Sequence, residues 1–261
     1  MRTWRHPPTS EVQLSEPGAS VDVADLRFLR EQLVDFMLGY KFAIDEITTK
    51  INILREDFNN TNEYNPIEHI NSRLKSPESV LEKCRRKDYP MSLASIRDNV
   101  LDIAGVRVVC SFISDIGKIR DMLVGQQDIT LLAERDYIAN RKPNGYQSLH
   151  LIVSIPVFRS NRTDDVPVEI QIRTIAMDFW ASLEHKIYYK YRGEVPPNLQ
   201  SELTNAADAA TQLDEKMEAL HRQVDRTSHP ELRPALTNSL DLSALYGNSG
   251  TDHGDTPRPI R

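Results

Sequence analysis

The stretch "DIAGVRVVCSF", Asp102 to Phe112, decides the fold of this chain. Most of its residues are apolar, with Val prominent and a single Arg, which is typical of a strand buried inside a sheet. The next segment, "SDIGKIRDML" from Ser114 to Leu123, is predicted to be a crossover helix. A buried strand followed directly by a helix indicates a chain of mixed α and β organisation.

Further strands and helices are predicted on both sides of this unit. The segment "SPESVLEKCRRK", 76–87, is predicted to be a helix because Ser76 suits the N-cap and Pro77 the first helical position. Another helix is predicted over 175–191. The remaining strands are predicted in segments 67–75, 128–138, 148–156 and 166–174. The predicted fold is therefore α/β (α+β), with a mixed five-stranded sheet flanked by helices.

Two long amphipathic helices are predicted near the ends of the chain. The first runs from Asp22 to Phe58, where apolar residues recur every three or four positions. The second lies within 199–224, and its apolar stripe consists of Leu199, Leu203, Ala206, Ala210, Leu213, Met217 and Leu220. Such stripes either pack on their own domain or pair subunits, and the periodicity is compatible with both.

The composition bounds the organisation of the chain. With 261 residues and 39% hydrophobic content, the chain can bury one sizeable core. Residues 1–21 and 225–261 lack periodic apolar residues and are predicted to be disordered, so the domain is expected to span 22–224.

The compartment is expected to be the cytoplasm. No apolar run approaches the roughly 20 residues of a membrane span, and the start "MRTWRHPPTSE" lacks the apolar segment of a secretory signal. Cys84 and Cys110 have no CxxC spacing and no neighbouring histidine pair, so neither a disulfide framework nor a zinc site is expected.

The charge distribution points to an anionic ligand. The net charge of −6 argues against indiscriminate binding of nucleic acid. Between Arg73 and Tyr146, however, thirteen Lys and Arg residues stand against ten Asp and Glu residues. The middle of the chain is therefore expected to attract the ligand.

One group of cations converges on the start of the predicted helix 76–87. Arg73 and Lys75 share a strand face, and the helix N-terminus that follows favours anions. The helix then presents Ser79, Lys83 and Arg86 on one side. These residues form either an anion site or an ordinary solvated face, which the spacing does not decide.

Two carboxylates are predicted to lie on the sheet. The segment "VEIQIRT" alternates, with Glu169 on the face opposite its apolar residues, and Asp102 precedes the buried strand. Mg²⁺ recruits such a pair when phosphates supply further oxygens. The alternatives are an edge strand with one wet face for Glu169 and a cap or turn role for Asp102.

The stretch "NRKPNGYQSLHL", 140–151, suits a nucleotide. Lys142 can meet phosphate, the Asn-Gly pair at 144–145 predicts a turn, and Tyr146 is expected as an exposed ring that stacks on a base. His150 follows on the same face. A packed aromatic and a structural histidine are the alternatives. The sequence contains no Walker A loop, GxGxxG or kinase signature.

Together, "SRLKSPESVLEKCRRK", "DIAGVRVVC", "RDYIANRKPNGYQSLHL" and "VEIQIRTIAMDFWASLEHKIYYK" resemble the synthetase domain of the RelA/SpoT alarmone family. The similarity is greatest to the small, single-domain synthetases and covers the segment from Tyr40 to Ala219. The resemblance implies a nucleotidyltransferase-like mixed sheet. It also implies transfer of the β,γ-pyrophosphate of ATP to the 3′-hydroxyl of GTP or GDP, giving (p)ppGpp and AMP; use of GMP as acceptor is left open.

The resemblance also implies roles for individual residues. The catalytic residues and Mg²⁺ ligands are Asp102 and Glu169, and Glu169 also receives the hydroxyl proton. ATP is bound by Arg73, Lys75, Ser79, Lys83, Arg86 and Arg107. GTP or GDP is bound by Arg135, Lys142, Tyr146, His150 and Gln171, with Tyr146 stacked on guanine.

The resemblance implies a homotetramer that synthesises alarmone without hydrolysing it, because no segment resembles the family's hydrolase domain. Two alternatives stay open. One is transfer of pyrophosphate to the 3′ end of tRNA, which the acidic net charge disfavours. The other is a non-catalytic module that binds alarmone or RNA. Nucleic acid is not expected as a substrate, and regulation by RNA is left open.

Overall fold

The computed structural model describes residues 23–61, 64–191 and 195–227. The chain divides into two compact units, Met1–His221 and Arg222–Arg261, and the sheet and the site described below belong to the first. The predicted disordered ends, 1–21 and 225–261, lie outside the described residues, except that residues 225–227 continue the last helix.

A mixed sheet of five strands confirms the predicted fold class. The strands are β1 (Ile67–Leu74), β2 (Ala104–Cys110), β3 (Thr130–Asp136), β4 (Leu149–Phe158) and β5 (Thr163–Thr174). They lie in the order β1-β2-β5-β4-β3, in which β2 and β5 are parallel and all other neighbours antiparallel. The stretch from Asp102 to Phe112 therefore provides β2, which lies inside the sheet beside β5.

The helices match the predicted segments with one exception. They are α1 (Val23–Thr61), α2 (Pro77–Lys87), α3 (Leu93–Asn99), α4 (Ile113–Val124), α5 (Ile175–Lys190) and α6 (Pro197–Thr227). Helix α3 was not predicted, because its seven residues, of which only Ile96 is buried, are too few to show periodicity. Within the described ranges, no helix has the length and apolarity needed to cross a membrane.

One face of the sheet is covered by α1 and α4. The predicted stripe of α1 supplies Tyr40, Ile47 and Ile51 to the core, which also contains Ile170 and Ile172 of β5. Burial of this apolar surface is the main stabilising contribution to the domain. It also fixes which side of each strand faces away from α1.

The other face, called the polar face here, carries two rows of aligned residues. One row joins Asn71, Arg107, Gln171, His150 and Arg135 across all five strands. The next row joins Arg73, Gly105, Glu169 and Ile152. Residues two apart on a strand share a face, so both rows lie on the same side of the sheet.

Helix α6 packs on the domain with only part of its predicted apolar stripe. Leu203 is buried and accepts a hydrogen bond from Trp180 Nε1 at its carbonyl oxygen (2.8 Å), but Leu213, Met217 and Leu220 are exposed. The buried side of this half of the helix instead presents Asp214, whose carboxylate accepts a hydrogen bond from Thr174 (2.7 Å), and Glu218. The second half of the predicted apolar stripe of α6 therefore does not pack on its own domain.

Candidate active site

Two lysines hold the carboxylate of Asp102. Lys75 Nζ lies 2.6 Å from Oδ2, and Lys83 Nζ lies 2.7 Å from Oδ1. The lysines come from the end of β1 and from α2, and a backbone hydrogen bond from Lys75 N to Ile103 O (2.8 Å) keeps β1 beside the Asp102 segment. Burial opposes the ionisation of Asp102, but the two lysines outweigh it and hold the pKa of this carboxyl below its usual value. Asp102 is therefore a carboxylate at neutral pH.

The start of α2 is capped as predicted. Ser76 Oγ accepts a hydrogen bond from the backbone N–H of Ser79 (3.3 Å), and Pro77 occupies the first helical position. The remaining backbone N–H groups of the first turn can still receive an anion. Arg73 and Arg86 are exposed, and Ser79 and Lys83 are half-buried on the same helix. The structure thus places Arg73 and Lys75 beside the start of α2 and Lys83 farther along that helix, whereas Arg86 lies in its last turn.

Arg107 lies farther along the sheet, in register with Gln171. Its Nη1 is 3.0 Å from Asp178 Oδ1 on α5. Its Nε is buried and has no hydrogen-bond partner within the described part of the chain. Arg107 therefore lies between the donor-side lysines and the residues of β4 and β5, where its free N–H can meet a ligand oxygen.

Glu169 is held by one partner at each carboxylate oxygen. His150 Nδ1 lies 3.1 Å from Oε1, and Gln171 Nε2 donates to Oε2 at 2.9 Å. Burial raises the pKa of Glu169, but the contacts with His150 and Gln171 outweigh burial and leave the pKa below its usual value. Glu169 is ionised at neutral pH and so can accept a proton.

The ring of Tyr146, which was expected to be exposed, is half-buried. The Tyr146 hydroxyl lies 2.7 Å from His150 Nε2 and also accepts a hydrogen bond from Arg173 Nη2. Burial raises the pKa of the Tyr146 hydroxyl. Arg173 itself is buried and donates to Ser148, Gln171 and Asp178.

The predicted turn brings Lys142 to two aromatic rings. Lys142 Nζ lies 4.3 Å from the ring centroid of Tyr137 and 4.7 Å from that of Tyr146, which are cation–π distances. Gly145 has φ +93°, and a Cβ there would come within 2.5 Å of Ala207 Cβ, so the turn requires glycine. The loop therefore holds Lys142 over Tyr146, the ring predicted from the sequence to stack on guanine.

The acceptor-side residues predicted from the sequence are close together. Tyr146, His150 and Gln171 belong to one hydrogen-bonded group, Lys142 contacts its aromatic part, and Arg135 is exposed beside His150 in the register. The sequence offered Arg173 only as a weaker candidate for the acceptor pocket, and it did not point to Tyr137 or Asp178. The alternation of "VEIQIRT" already placed Arg173 on the face of Glu169, whereas no sequence signal marks Asp178.

A metal ion at this site would need substrate oxygens. No group of three or more His, Cys, Asp or Glu residues within the described ranges is arranged to hold a metal ion. Asp102 stands two residues before β2, whose Gly105 pairs in register with Glu169 of β5. Mg²⁺ commonly binds through one or two carboxylates together with phosphates and water, so this pair fits Mg²⁺.

The chain is similar to known proteins of one family. Residues 72–194 match the family model described as "Region found in RelA / SpoT proteins". GTP pyrophosphokinase YwaC of Bacillus subtilis is 48% identical over 201 residues, which cover 77% of this chain and 96% of that protein.

Two solved structures of a small alarmone synthetase are also similar. The small alarmone synthetase 1 from Bacillus subtilis bound to its product pppGpp superimposes with a TM-score of 0.71 and 39% identity, covering 75% of this chain and 99% of that one. The same enzyme bound to AMPCPP gives a TM-score of 0.66 and 37% identity, again covering 75% of this chain and 99% of that one.

Proposed function

Because this chain belongs to the RelA/SpoT family and is a GTP pyrophosphokinase that synthesises (p)ppGpp, we propose that the transfer takes place on the polar face, between Asp102 and Glu169. ATP binds on the side of Lys75 and Lys83, and GTP or GDP binds on the side of Tyr146. One observation carries this assignment: Glu169 of β5 pairs in register with Gly105 of β2, three residues after the lysine-bound Asp102.

In this proposal Glu169 is the general base. The 3′-hydroxyl oxygen of the acceptor forms a bond to the β-phosphorus of ATP, and the bond from that phosphorus to the oxygen bridging the α-phosphate breaks. The hydroxyl proton passes to Glu169, and AMP leaves. An ionised carboxylate near the hydroxyl suits this role, because a general base must be unprotonated when the substrate arrives.

The donor-side cations neutralise the polyphosphate. Lys75 and Lys83 now share Asp102, and both ammonium groups can turn to a triphosphate that arrives at the start of α2. Arg73, Ser79, Arg86 and Arg107 line the same approach. Pre-placed cations lower the barrier because charge on the transferred group is stabilised without reorganising solvent.

Asp102 and Glu169 are the residues proposed to hold Mg²⁺. When bound, the ion neutralises charge on the phosphates and helps to align them. If Lys75 and Lys83 turn from Asp102 to the phosphates of the bound nucleotide, both oxygens of Asp102 become available to the ion.

The acceptor base is proposed to stack on Tyr146. Lys142 lies over the edge of this site, 4.7 Å from the centroid of the Tyr146 ring, where its ammonium group can reach the acceptor phosphates. Gln171, His150 and Arg135 line the remaining side of this seat.

We also propose that the chain forms the homotetramer that the resemblance implies, in the cytoplasm, where its nucleotides are found. Leu213, Met217 and Leu220 of α6 are exposed at spacings of four and three, as in helices that pair with one another. Leu213→Glu with Met217→Glu is expected to reduce the molar mass in light scattering. An unchanged mass would place the interface elsewhere.

The test is one incubation with ATP labelled in its β- or γ-phosphate and each of GTP, GDP, GMP and deacylated tRNA, followed by chromatography. Labelled guanosine tetra- and pentaphosphate should appear together with an equal amount of AMP. Labelled tRNA in place of these products would establish the tRNA-modifying alternative. Binding without any transfer would establish the non-catalytic one.

A further inference from the structure

An unbroken line of hydrogen bonds connects the proposed guanine-stacking ring to the proposed base. It runs from Arg173 through the Tyr146 hydroxyl and the His150 ring to Glu169. The distance from the Tyr146 oxygen to His150 Nε2 is 2.7 Å, and that from His150 Nδ1 to Glu169 Oε1 is 3.1 Å. The Tyr146 hydroxyl and the Glu169 carboxylate thus contact different nitrogens of the His150 imidazole.

The direction of these hydrogen bonds is fixed at both ends. A guanidinium can only donate, so the Tyr146 oxygen accepts from Arg173. An ionised carboxylate can only accept, so His150 Nδ1 carries the hydrogen that faces Glu169. His150 Nε2, on the other side of the ring, lies 2.7 Å from the Tyr146 oxygen, so one imidazole contacts both the hydroxyl and the carboxylate.

The beginning of the line is rigid. The Arg173 side chain is 5% exposed and makes further hydrogen bonds to Ser148, Gln171 and Asp178. At the other end, His150 and Gln171 each bind a different oxygen of Glu169. Each oxygen keeps a second lone pair, so the carboxylate plane is fixed while lone pairs remain for the acceptor hydroxyl.

We propose that the Tyr146 hydroxyl and the His150 imidazole are positioning groups that aim Glu169 at the acceptor hydroxyl, in addition to any contact with the nucleotide. This inference rests on the proposed function, in which Glu169 takes the proton and Tyr146 stacks on the base. Tyr146, on which the guanine stacks, then also orients the carboxylate of Glu169. Small misplacements of a catalytic group lower the rate more than they lower binding, because they act on the geometry of attack.

The first experiment compares Tyr146→Phe with Tyr40→Phe. The Phe at 146 keeps a flat ring for stacking and removes only the hydroxyl, so kcat with saturating ATP and GDP should fall about tenfold. The dissociation constant for GDP, measured by calorimetry, should change less than about twofold. Tyr40 is the matched control, because its buried hydroxyl has no hydrogen-bond partner within the described residues. A parental kcat in Tyr146→Phe, or an equal loss in kcat and GDP affinity, would overturn the proposal.

The second experiment compares two amides at position 150. Asn places its N–H near the position of Nδ1 and can still donate to Glu169, whereas Gln reaches the position of Nε2 and leaves Glu169 without that donor. His150→Asn should therefore keep a kcat within about tenfold of the parent, and His150→Gln should lose about a hundredfold. The reverse order would show that Glu169 is not oriented by His150.

The third experiment places Tyr146→Phe in a Glu169→Gln background. Glu169→Gln alone should lower kcat about a hundredfold or more. If the hydroxyl acts through Glu169, the second change should add no further loss, because the group it positions is already gone. Multiplicative losses would overturn the relay and leave the proposed function intact. Parental turnover in Glu169→Gln would instead overturn the assignment of the base, and the relay with it.

Discussion

Gly105 on β2 and Glu169 on β5 are register partners across the parallel pair of strands. The carboxylate therefore lies beside a residue without a side chain, and on the other side Gly105 is aligned with Arg73. This leaves a gap in the row between the donor-side Arg73 and the proposed base. We infer that the gap admits the reacting phosphate and hydroxyl groups.

Gly105→Ala tests this gap. A Cβ at this position would lie 3.6 Å from Arg73 O, which is ordinary contact, and Gly105 does not have positive φ. The variant should therefore fold, with a free energy of unfolding within about 1 kcal/mol of the parent. Turnover should fall at least about tenfold, because the methyl group displaces the aligned reactants. Denaturant unfolding measures the stability of the variant. Parental turnover in the folded variant would show that the substrates do not pass through this gap.

Asp102→Asn should raise the Mg²⁺ concentration needed for half-maximal activity, because a neutral amide is a poorer ligand for a hard cation. Excess Mg²⁺ should recover part of the turnover. Asp128→Asn is the matched control, since Asp128 also pairs with a lysine, Lys50, at 2.6 Å but lies outside the site. The measurement is a Mg²⁺ titration at fixed ATP, and identical curves for parent and Asp102→Asn would make Asp102 structural.

The stability of the protein should depend on pH through Asp102. Its folded pKa lies below the unfolded value, so its ion pairs with Lys75 and Lys83 stabilise the fold fully above the unfolded pKa of about 3.9. This contribution is lost as pH falls through the folded pKa. The difference in unfolding free energy between the parent and Asp102→Asn should therefore shrink as pH decreases from about 6 to about 3. Urea unfolding at several pH values measures it, and a difference that grows towards acid would contradict the assignment.

Arg73→Ala and Lys75→Ala should each raise the KM for ATP more than the KM for GDP. Both residues lie at the start of α2, on the side proposed for the donor, where charge-assisted hydrogen bonds to phosphate are lost on truncation. Lys118→Ala is a suitable control, because Lys118 is exposed and pairs with Asp115 on α4. Equal changes in both constants would place Arg73 and Lys75 outside the donor site.

Tyr146→Ala should weaken GDP binding by about 1–3 kcal/mol, the usual contribution of one base stacked on an aromatic ring. It should also lower kcat, because the alanine removes the hydroxyl that contacts His150. The affinity for a non-hydrolysable ATP analogue should change far less. Calorimetry with each nucleotide separates these effects. Unaltered GDP binding would show that guanine does not stack on Tyr146.

The sequence by itself determined every strand, every helix except α3, and the faces of the strands. The alternation of "VEIQIRT" placed Glu169, Gln171 and Arg173 on one side, and Ser76 with Pro77 fixed the start of α2. These properties follow from local rules, since side-chain direction has a period of two in a strand and a cap is made by neighbours in the chain.

Only the tertiary structure decided which residues are partners. The rows of the polar face depend on register between strands that are distant in sequence, so the contacts of Arg173 with Tyr146 and of Arg107 with Asp178 had no signal in either segment. The outward position of Leu213 and Met217 on α6 was likewise undecided, because a helical stripe shows amphipathicity but not its occupant. Periodicity fixes the direction of a side chain relative to its own element. The packing of the core then fixes what that side chain meets.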